Sequence, residues 1–344
     1  MRDKTEGVGS SARLRQSRRA GSAAAWLNLF SFCLREKYFS FGSFWCKMEE
    51  IWIAWKGEGE RMKNYRAELV GVFGDPVDGN PTGVTMEAAF AEKCLNYRYL
   101  TLKVLPEDLE EAMRSLRVLH MKGINLTMPH KIKVIPLLNE LSEAAGIIGA
   151  VNTVVLREDG TLFGENTDGK GFVQALHNKG ISLEGKRVVL LGAGGAAKAI
   201  AVECALAGAA SIKVVNRTLE RALELVDTLK KHTKTEASCE QWESCHKIPA
   251  DTDILINGTS IGLHPDGDQK PDIDYEGIAP HMAAADVVFN PVDTLFLKEA
   301  QKQGATAVNG LGMLACQAAL NFKLWTGVEP SLKVMEDTLQ KEFE

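Results

Sequence analysis

Residues 188–206 read VVLLGAGGAAKAIAVECAL, and this stretch decides the fold of the second half of the chain. The apolar run 188–191 is typical of a buried strand, and it leads directly into the glycine-rich turn 192–195 and an apolar helix. Glycines in such a turn let backbone amides approach a pyrophosphate at the helix N-terminus. A glycine-rich turn alone can also be purely structural, so the next strand has to be considered with it.

The next strand, 212–215, ends at the residues Asn216, Arg217 and Thr218. Enzymes that prefer NAD usually place an acid near this point to hold the ribose 2′-hydroxyl. Arg217 can instead form charge-assisted hydrogen bonds with a 2′-phosphate, and Thr218 can add another. The alternative is that Arg217 caps a helix or pairs with an acid of the following helix at the surface. We favour the first interpretation, which predicts NADP as the cofactor.

Upstream, polar side chains gather in three short segments of apolar sequence, 123–131, 150–153 and 164–169. A buried polar group is unfavourable unless it is hydrogen-bonded, so three such segments indicate a shared pocket for a hydroxylated ligand. Lys131 and Asp168 add groups that can move a proton. Taken singly, Lys131 can be a solvated surface lysine and Asp168 a helix N-cap. Together, beside the other polar residues, they predict a catalytic pair.

The local pattern around Lys131 predicts a helix, a strand and a second helix in quick succession. The first helix is expected to end near Met121, with Gly123 as its C-terminal cap. The short strand 124–126 follows, and Pro129 suits the first turn of the next helix. This arrangement places Lys131 near a helix N-terminus.

Three motifs resemble the signature of the shikimate dehydrogenase family: N-x-T-x-P-x-K at 125–131, A-V-N-T at 150–153 and N-T-D-x-x-G at 166–171. The similarity runs from about Leu69 to Pro330. The resemblance implies an α/β, two-domain fold and an NADP-dependent oxidoreductase. The implied reaction is the reversible reduction of 3-dehydroshikimate to shikimate, a step of the chorismate and aromatic amino acid pathway.

The resemblance also assigns roles to residues. Lys131 is expected to be the general acid in reduction and the base in oxidation, and Asp168 to hydrogen-bond both Lys131 and the reacting hydroxyl. Substrate contacts are expected from Asn80, Thr82, Thr127, Asn152 and Gln317. Cofactor contacts are expected from Gly192, Ala193, Gly194, Gly195, Ala196, Asn216, Arg217, Thr218, Thr259, Gly310 and Met313. Without the resemblance, Met313 would be interpreted as core packing and Gln317 as a solvated helix residue.

The loop 74–83, GDPVDGNPTG, departs from the family pattern G-x-P-I-x-H-S-x-S-P. Asn80 and Thr82 stand where the family has the two serines that hold the substrate carboxylate. Phe289 stands where a tyrosine hydroxyl usually assists at that carboxylate. Two elements around the carboxylate are therefore altered.

These departures leave two other interpretations open. A paralogue acting on quinate, an amino analogue or another cyclic hydroxy acid would fit the altered loop. A non-catalytic NADP-binding sensor would keep the fold, but binding alone does not require both Lys131 and Asp168.

Composition restricts the partners and the compartment. The net charge of −5 gives no general attraction to nucleic acid or an anionic membrane. The chain's seven cysteines are scattered, which favours free thiols in a reducing compartment and predicts the cytoplasm. Cys239, Cys245 and His246 match no common zinc spacing, so no metal is predicted. The expected partner is a small-molecule substrate, with the chain a monomer or a homodimer.

The predicted organisation is a leader at 1–66, a substrate-binding catalytic domain at 67–170 completed by 310–344, and a Rossmann-like NADP-binding domain at 171–309. Residues 56–62, KGEGERM, would be encoded by purine-rich codons, as a translated ribosome-binding site would be. We therefore expect residues 1–61 to be an over-extended gene start or to lie outside the fold. A signal or transit peptide is the alternative.

Overall fold

The computed structural model describes residues 65–344, which form two β-sheets flanked by helices. The strands are β1 (Glu68–Gly74), β2 (Tyr97–Lys103), β3 (Gly123–Leu126), β4 (Glu140–Leu141), β5 (Thr153–Leu156), β6 (Leu162–Glu165), β7 (Arg187–Leu191), β8 (Ser211–Asn216), β9 (Glu236–Gln241), β10 (Ile254–Asn257), β11 (Ala283–Asp286) and β12 (Thr306–Val308). The α-helices are α1 (Thr82–Glu92), α2 (Leu109–Val118), α3 (His130–Lys133), α4 (Glu143–Ile148), α5 (Thr167–Asn178), α6 (Gly195–Leu206), α7 (Leu219–His232), α8 (Leu295–Lys302), α9 (Gly310–Thr326) and α10 (Leu332–Phe343). All but the last two residues of the predicted leader, and the predicted start at Met62, lie outside the described residues.

The first sheet has the strand order β2-β1-β3-β5-β6-β4. β1 runs parallel to β2 and β3, whereas β5 runs antiparallel to both β3 and β6. In the register of these strands Asn125 lies opposite Thr153, and Thr153 lies opposite Glu165. The three polar segments of the sequence therefore meet at one end of the neighbouring strands β3, β5 and β6.

The second sheet has the order β9-β8-β7-β10-β11-β12, and all of its pairs are parallel. The strand order reverses between β7 and β10, which is where a doubly wound sheet opens a crevice for a ligand. Gly192 follows β7 with φ of 102°, and a Cβ there would lie 2.9 Å from Thr259 Cγ2. Only glycine suits this turn. The predicted fold class, α/β with a Rossmann-like doubly wound sheet, is confirmed.

Helix α5 packs tightly between α6 and α9 because two of its residues are glycines. A Cβ at Gly169 would lie 2.3 Å from the carbonyl oxygen of Ala199 in α6. A Cβ at Gly171 would lie 2.7 Å from the backbone nitrogen of Gln317 in α9. This close approach fixes Asp168, at the start of α5, relative to both neighbouring helices.

The structure corrects two local predictions. The helix expected to reach Met121 ends at Val118, and Gly123 is the first residue of β3 instead of a cap. A Cβ at Gly123 would lie 2.2 Å from the Trp325 indole nitrogen, so packing across the strand requires the glycine. Helix α3 is a single turn that follows Pro129, and so it carries little dipole.

The final helix α10 packs on the first sheet's helix α1, as expected. Thr85 donates a hydrogen bond to the carbonyl oxygen of Met335 at 3.1 Å, and Met335 and Leu339 are fully buried. Nowhere in residues 65–344 is a helix both long enough and apolar enough to span a bilayer. The same residues contain no group of three or more histidine, cysteine or acidic side chains that could hold a metal ion.

The cysteines only partly match the expectation of free thiols. Cys204, Cys239, Cys245 and Cys316 are free. Cys94, however, is disulfide-bonded, so the expectation is wrong at this position.

Candidate active site

Lys131 and Asp168 form an ion pair at the edge where the polar segments meet. The Lys131 Nζ lies 2.6 Å from the Asp168 Oδ2. Their side chains are 32% and 17% exposed, so the pair is accessible to a small molecule without being fully solvated. Asn166 is the N-cap of α5, and its side-chain oxygen accepts the Asp168 backbone N–H at 3.2 Å. The alternative that Asp168 is the N-cap is therefore wrong, and its carboxylate is available to Lys131.

Asn152 holds the other oxygen of the Asp168 carboxylate. Its amide Nδ2 donates to Asp168 Oδ1 at 2.7 Å and lies 3.0 Å from Thr167 Oγ1. Its Oδ1 accepts the Thr167 backbone N–H at 2.8 Å. Asn152 is buried, so these bonds fix the direction of the carboxylate toward Lys131.

A buried hydrogen-bond network supports the side chains of Asn152 and Asp168. Asn321 on α9 accepts hydrogen bonds from the hydroxyls of Thr153 and Thr167, both at 2.8 Å. Its Nδ2 donates to Gln317 Oε1 at 3.0 Å. The sequence interpretation missed Asn321. The signal was an asparagine in the apolar run 318–322, one helical turn after Gln317.

Asn125 belongs to the same network and has its side chain fully occupied. Its Nδ2 donates to the Asn152 carbonyl oxygen at 3.1 Å and to Thr153 Oγ1 at 3.0 Å. Its Oδ1 accepts from the Tyr99 hydroxyl at 2.9 Å. Burial raises the pKa of Tyr99, which keeps the hydroxyl protonated as a donor. Asn125 therefore positions the strands instead of facing a ligand.

Two further residues predicted to bind substrate lie beside this network. Thr127 is half-buried directly after β3, with its Cγ2 against Gly74. Gln317 is buried, with its Nε2 donating to the Leu314 carbonyl oxygen at 3.0 Å. The alternative that Gln317 is solvated is therefore wrong.

The residues at the two altered family positions form internal contacts. Asn80 Oδ1 accepts the Thr82 backbone N–H at 3.0 Å, and Thr82 is buried. The Phe289 ring lies with its centroid 5.3 Å from that of Phe343 at an interplanar angle of 53°, and it packs against an apolar cluster of the first sheet.

The glycine turn after β7 leaves an open cradle for a phosphate group. Gly194 is the N-cap of α6, and a Cβ at Gly194 or Gly195 would meet nothing within 4 Å. A cavity of about 270 Å³ opens here. Its lining residues are Ala193, Gly194, Gly195, Lys198, Arg221, Glu224 and Leu225. Exposed backbone amides, the N-terminus of a twelve-residue helix and two cationic side chains fit a pyrophosphate and a further phosphate.

Two arginines lie near the start of α7, and one of them lines this cavity. Arg217 is exposed directly after β8 and has no ion pair or hydrogen bond with any residue of 65–344. The alternative that it pairs with Glu220 or Glu224 is therefore not seen. Arg221, one turn along α7, lines the cavity. The sequence interpretation missed Arg221, which lies in the first turn of α7, whereas Arg217 precedes the N-cap of that helix.

The other residues predicted to bind cofactor lie along the carboxyl edge of the second sheet or at the start of α9. Asn216 ends β8 and donates to the Thr218 carbonyl oxygen at 2.7 Å. Thr259 donates to Asn257 Oδ1 at 2.7 Å. Gly310 and Met313 belong to the first turn of α9, and Ala196 to the first turn of α6.

A buried carboxyl anchors the loop that carries Thr259. Asp286 Oδ1 accepts from Asn257 Nδ2 at 2.9 Å, and Asp286 Oδ2 accepts from the Thr294 hydroxyl at 2.7 Å. Burial raises the pKa of Asp286 to about 6, against the opposing effect of these hydrogen bonds. The loop is thereby tied to both β10 and the start of α8.

Comparisons with known proteins agree along nearly the whole described chain. Residues 72–154 match the shikimate dehydrogenase substrate binding domain, residues 174–263 the shikimate / quinate 5-dehydrogenase family, and residues 310–340 the shikimate 5′-dehydrogenase C-terminal domain. The NADP⁺-dependent shikimate dehydrogenase of Desulforamulus reducens is 40% identical over 282 residues, which are 81% of this chain and 97% of that protein.

Two solved structures share the fold. A ligand-free 5-ketofructose reductase of Gluconobacter sp. strain CHM43 superposes with a TM-score of 0.78 at 41% identity, covering 81% of this chain and all of that one. A shikimate dehydrogenase in complex with NADP⁺ superposes with a TM-score of 0.74 at 36% identity, covering 82% of this chain and 98% of that one. The chain belongs to the shikimate dehydrogenase family.

Proposed function

We propose that this protein is an NADP-dependent shikimate dehydrogenase, which reversibly reduces 3-dehydroshikimate to shikimate. The carrying observation is the Lys131–Asp168 pair, 2.6 Å apart and partly exposed at the edge of the first sheet. The Desulforamulus reducens relative, of which this chain covers 97%, is named for this activity with NADP⁺.

Lys131 donates or accepts the proton that the reaction transfers. In the reductive direction its ammonium donates a proton to the substrate carbonyl oxygen, and in oxidation the neutral amine accepts it back. Asp168 holds the ammonium through Oδ2, while Asn152 keeps the carboxylate in place through Oδ1. Positioned acid–base catalysis of this kind contributes about 10²- to 10⁴-fold to the rate.

The cofactor is expected at the carboxyl edge of the second sheet. Residues 193–195 would hold the pyrophosphate, because they line the open cavity at the start of α6. Gly192 shapes the turn, with its own amide donating to the Val215 carbonyl oxygen at 2.8 Å. Arg217 and Arg221 would hold the 2′-phosphate, with Asn216 and Thr218 at the ribose and Thr259, Gly310 and Met313 toward the nicotinamide. When bound, NADPH supplies the hydride.

The residues expected to bind the substrate fall into two groups, according to the part of the substrate that they would contact. Thr127, Asn152 and Gln317 would orient the ring hydroxyls, and Asn80 and Thr82 the far end of the substrate. We accordingly assign residues 67–170, completed by 310–344, to the substrate-binding domain and residues 171–309 to the NADP-binding domain. The two sheets, formed within 68–165 and 187–308, support this division.

A second candidate is the reduction of an uncharged ketone sugar, as the name of the Gluconobacter 5-ketofructose reductase suggests. The altered loop at Asn80 and Thr82 and the phenylalanine at 289 favour it. A purely regulatory NADP-binding role is disfavoured, since binding alone leaves the Lys131–Asp168 pair without a purpose.

We also propose a cytoplasmic enzyme that is a monomer or a homodimer. Four of the five cysteines among residues 65–344 are free thiols, which supports the reducing compartment, whereas the disulfide-bonded Cys94 does not. Fractionation of the native host would test the compartment, and light scattering on the purified protein would test the oligomeric state.

The experiment that tests the function follows NADPH absorbance. NADPH with 3-dehydroshikimate should be consumed, and NADP⁺ with shikimate should be reduced, with NAD⁺ and quinate the poorer pair. Turnover of quinate alone would contradict the proposed substrate, and no turnover of any of these would contradict the proposed reaction class.

A further inference from the structure

We infer that Lys198, in the first turn of α6, holds the pyrophosphate of the bound cofactor. This inference rests on the proposed function, because it assigns a further residue to the cofactor of that function. The pyrophosphate is common to NADP⁺ and NAD⁺, so Lys198 stabilises both nucleotides. Arg217 and Arg221, in contrast, discriminate between them through the 2′-phosphate.

Lys198 faces the open cavity at the start of α6. It lines the cavity of about 270 Å³ together with Gly194 and Gly195, where a Cβ would meet nothing within 4 Å. The Lys198 backbone N–H donates to the Gly194 carbonyl oxygen at 2.8 Å, which places the lysine one helical turn beyond the glycines. Side chains of an α-helix point back toward its N-terminus, so a lysine at this position reaches an anion held at the glycine turn.

The charge of the Lys198 ammonium is available to an anion. Its side chain has no ion pair or hydrogen bond with any residue of 65–344, and the residue is only partly buried. Glu224 lines the same cavity, but within the described chain it forms no ion pair with Lys198 or Arg221. Two cations against one carboxylate, beside the N-terminus of a twelve-residue helix, leave the cavity positive.

Lys198 and Arg221 approach this cavity from different helices. The Lys198 Nζ lies beside Gly149, since a Cβ built on Gly149 would be 3.7 Å from it. Gly149 is the C-cap of α4, and Ile148 of that helix packs in the same apolar cluster as Ile200 of α6. Arg221 belongs to α7 instead. Lys198 therefore lies on the side of the cavity that borders α4.

The segment that follows Gly149 holds both catalytic residues in place. The Val151 backbone N–H donates to the Lys131 carbonyl oxygen at 2.8 Å, and Asn152 Nδ2 donates to Asp168 Oδ1 at 2.7 Å. A cation beside Gly149 is therefore on the side of the cavity that is nearer to the catalytic segment.

The covalent order of the cofactor separates the roles of the two cations. In NADP⁺ the pyrophosphate lies between the ribose that carries the 2′-phosphate and the nicotinamide half. Arg221, in the first turn of the helix that follows Arg217, is placed for the 2′-phosphate. Lys198, next to the catalytic segment, is placed for the pyrophosphate.

Calorimetric titration with NADPH and with NADH tests the assignment without relying on turnover. Lys198→Met keeps the apolar part of the side chain and removes its charge. It should raise Kd for NADPH and for NADH by the same factor, about 10- to 100-fold, the effect of one lost charge-assisted hydrogen bond. Arg221→Ala should raise Kd for NADPH only. Lys198→Arg keeps the charge and should retain most of the affinity for both nucleotides.

The salt dependence of NADH binding gives a second readout, which a purely structural role of Lys198 would not change. NADH carries its negative charge on the pyrophosphate, so added salt should weaken its binding to the wild type by screening this charge from the lysine. Lys198→Met should show a smaller salt dependence. An unchanged salt dependence, in a variant that unfolds in urea at the wild-type midpoint, would overturn the inference.

The remaining outcomes separate the inference from the proposed function. Lys179→Met, an exposed lysine at the C-cap of α5, is the matched control and should bind both nucleotides as the wild type does. If Lys198→Met weakened the binding of NADPH alone, or of neither nucleotide, the inference would be wrong and the proposed function would stand. A wild-type protein that binds neither nucleotide would contradict both.

Discussion

Asn321 accepts a hydrogen bond from the Thr167 hydroxyl at 2.8 Å, although the two residues are 154 positions apart. Thr167 immediately precedes Asp168, so helix α9 near the end of the chain sets the position of a carboxylate near its middle. The same Asn321 oxygen accepts from Thr153. The Lys131–Asp168 pair is therefore held in place by elements that are distant in sequence.

Replacing Asn321 by alanine should weaken both fold and turnover. The change removes the nearer acceptor of the Thr153 and Thr167 hydroxyls, which keep only the longer contacts to Asn152 Oδ1 at 3.1 and 3.2 Å. It should lower the free energy of unfolding by about 1–3 kcal/mol. Urea unfolding and kcat for 3-dehydroshikimate measure the two effects. Lys323→Ala, exposed on the same helix, should change the unfolding free energy by less than about 0.5 kcal/mol. An unchanged free energy of unfolding in the Asn321 variant would show that these hydrogen bonds do not stabilise the fold.

The sequence was sufficient to predict that Lys131, Asp168 and Asn152 lie close together, because each stands near the end of a first-sheet strand in a short polar segment. It was insufficient for Asn321, since a polar residue in an apolar helix reveals its partners only when the fold is known. Arg221 was missed for a different reason. Its role depends on which face of α7 borders the glycine turn, and that is a matter of packing.

The ends of the helices and strands were also hard to predict from the sequence, because they depend on tertiary packing. Glycine at 123 has a favourable conformation for a helix cap, and the prediction followed that local preference. In the structure the glycine is required by the Trp325 indole packed across β3, whose nitrogen donates to the Val154 carbonyl oxygen at 3.0 Å. Tertiary packing therefore overrode the local signal.

Lys131→Ala should lower kcat for 3-dehydroshikimate by about 10²- to 10⁴-fold, because the reaction loses its proton donor. Substrate affinity, measured by calorimetric titration, should change little in comparison, since the ring hydroxyls keep their other partners. Lys133→Ala, an exposed lysine on the same helical turn, is the matched control and should retain its turnover. Near-normal activity in Lys131→Ala would rule out the assigned acid–base role.

Arg217→Ala and Arg221→Ala should each raise KM for NADP⁺ by roughly 10- to 100-fold, the effect of losing one charge-assisted hydrogen bond. KM for NAD⁺ should change little, because NAD⁺ has no 2′-phosphate. Lys230→Ala, near the far end of the same helix α7, provides the control. Equal increases in both Michaelis constants would mean that the arginines do not recognise the 2′-phosphate.

Asp286 should make the fold less stable as the pH rises through about 4 to 6. Its pKa is raised to about 6 in the folded protein from 3.8, so the folded state binds the proton more tightly than the unfolded state. Stability from this group is therefore greatest below pH 4 and falls as the carboxyl ionises, by at most about 3 kcal/mol. Asp286→Asn should remove this dependence. Urea unfolding of both proteins between pH 4 and pH 7 gives the difference in unfolding free energy, which should shift in favour of the variant as pH rises. A pH-independent difference would mean that the Asp286 carboxyl ionises normally despite its burial, with the hydrogen bonds from Asn257 and Thr294 offsetting its desolvation.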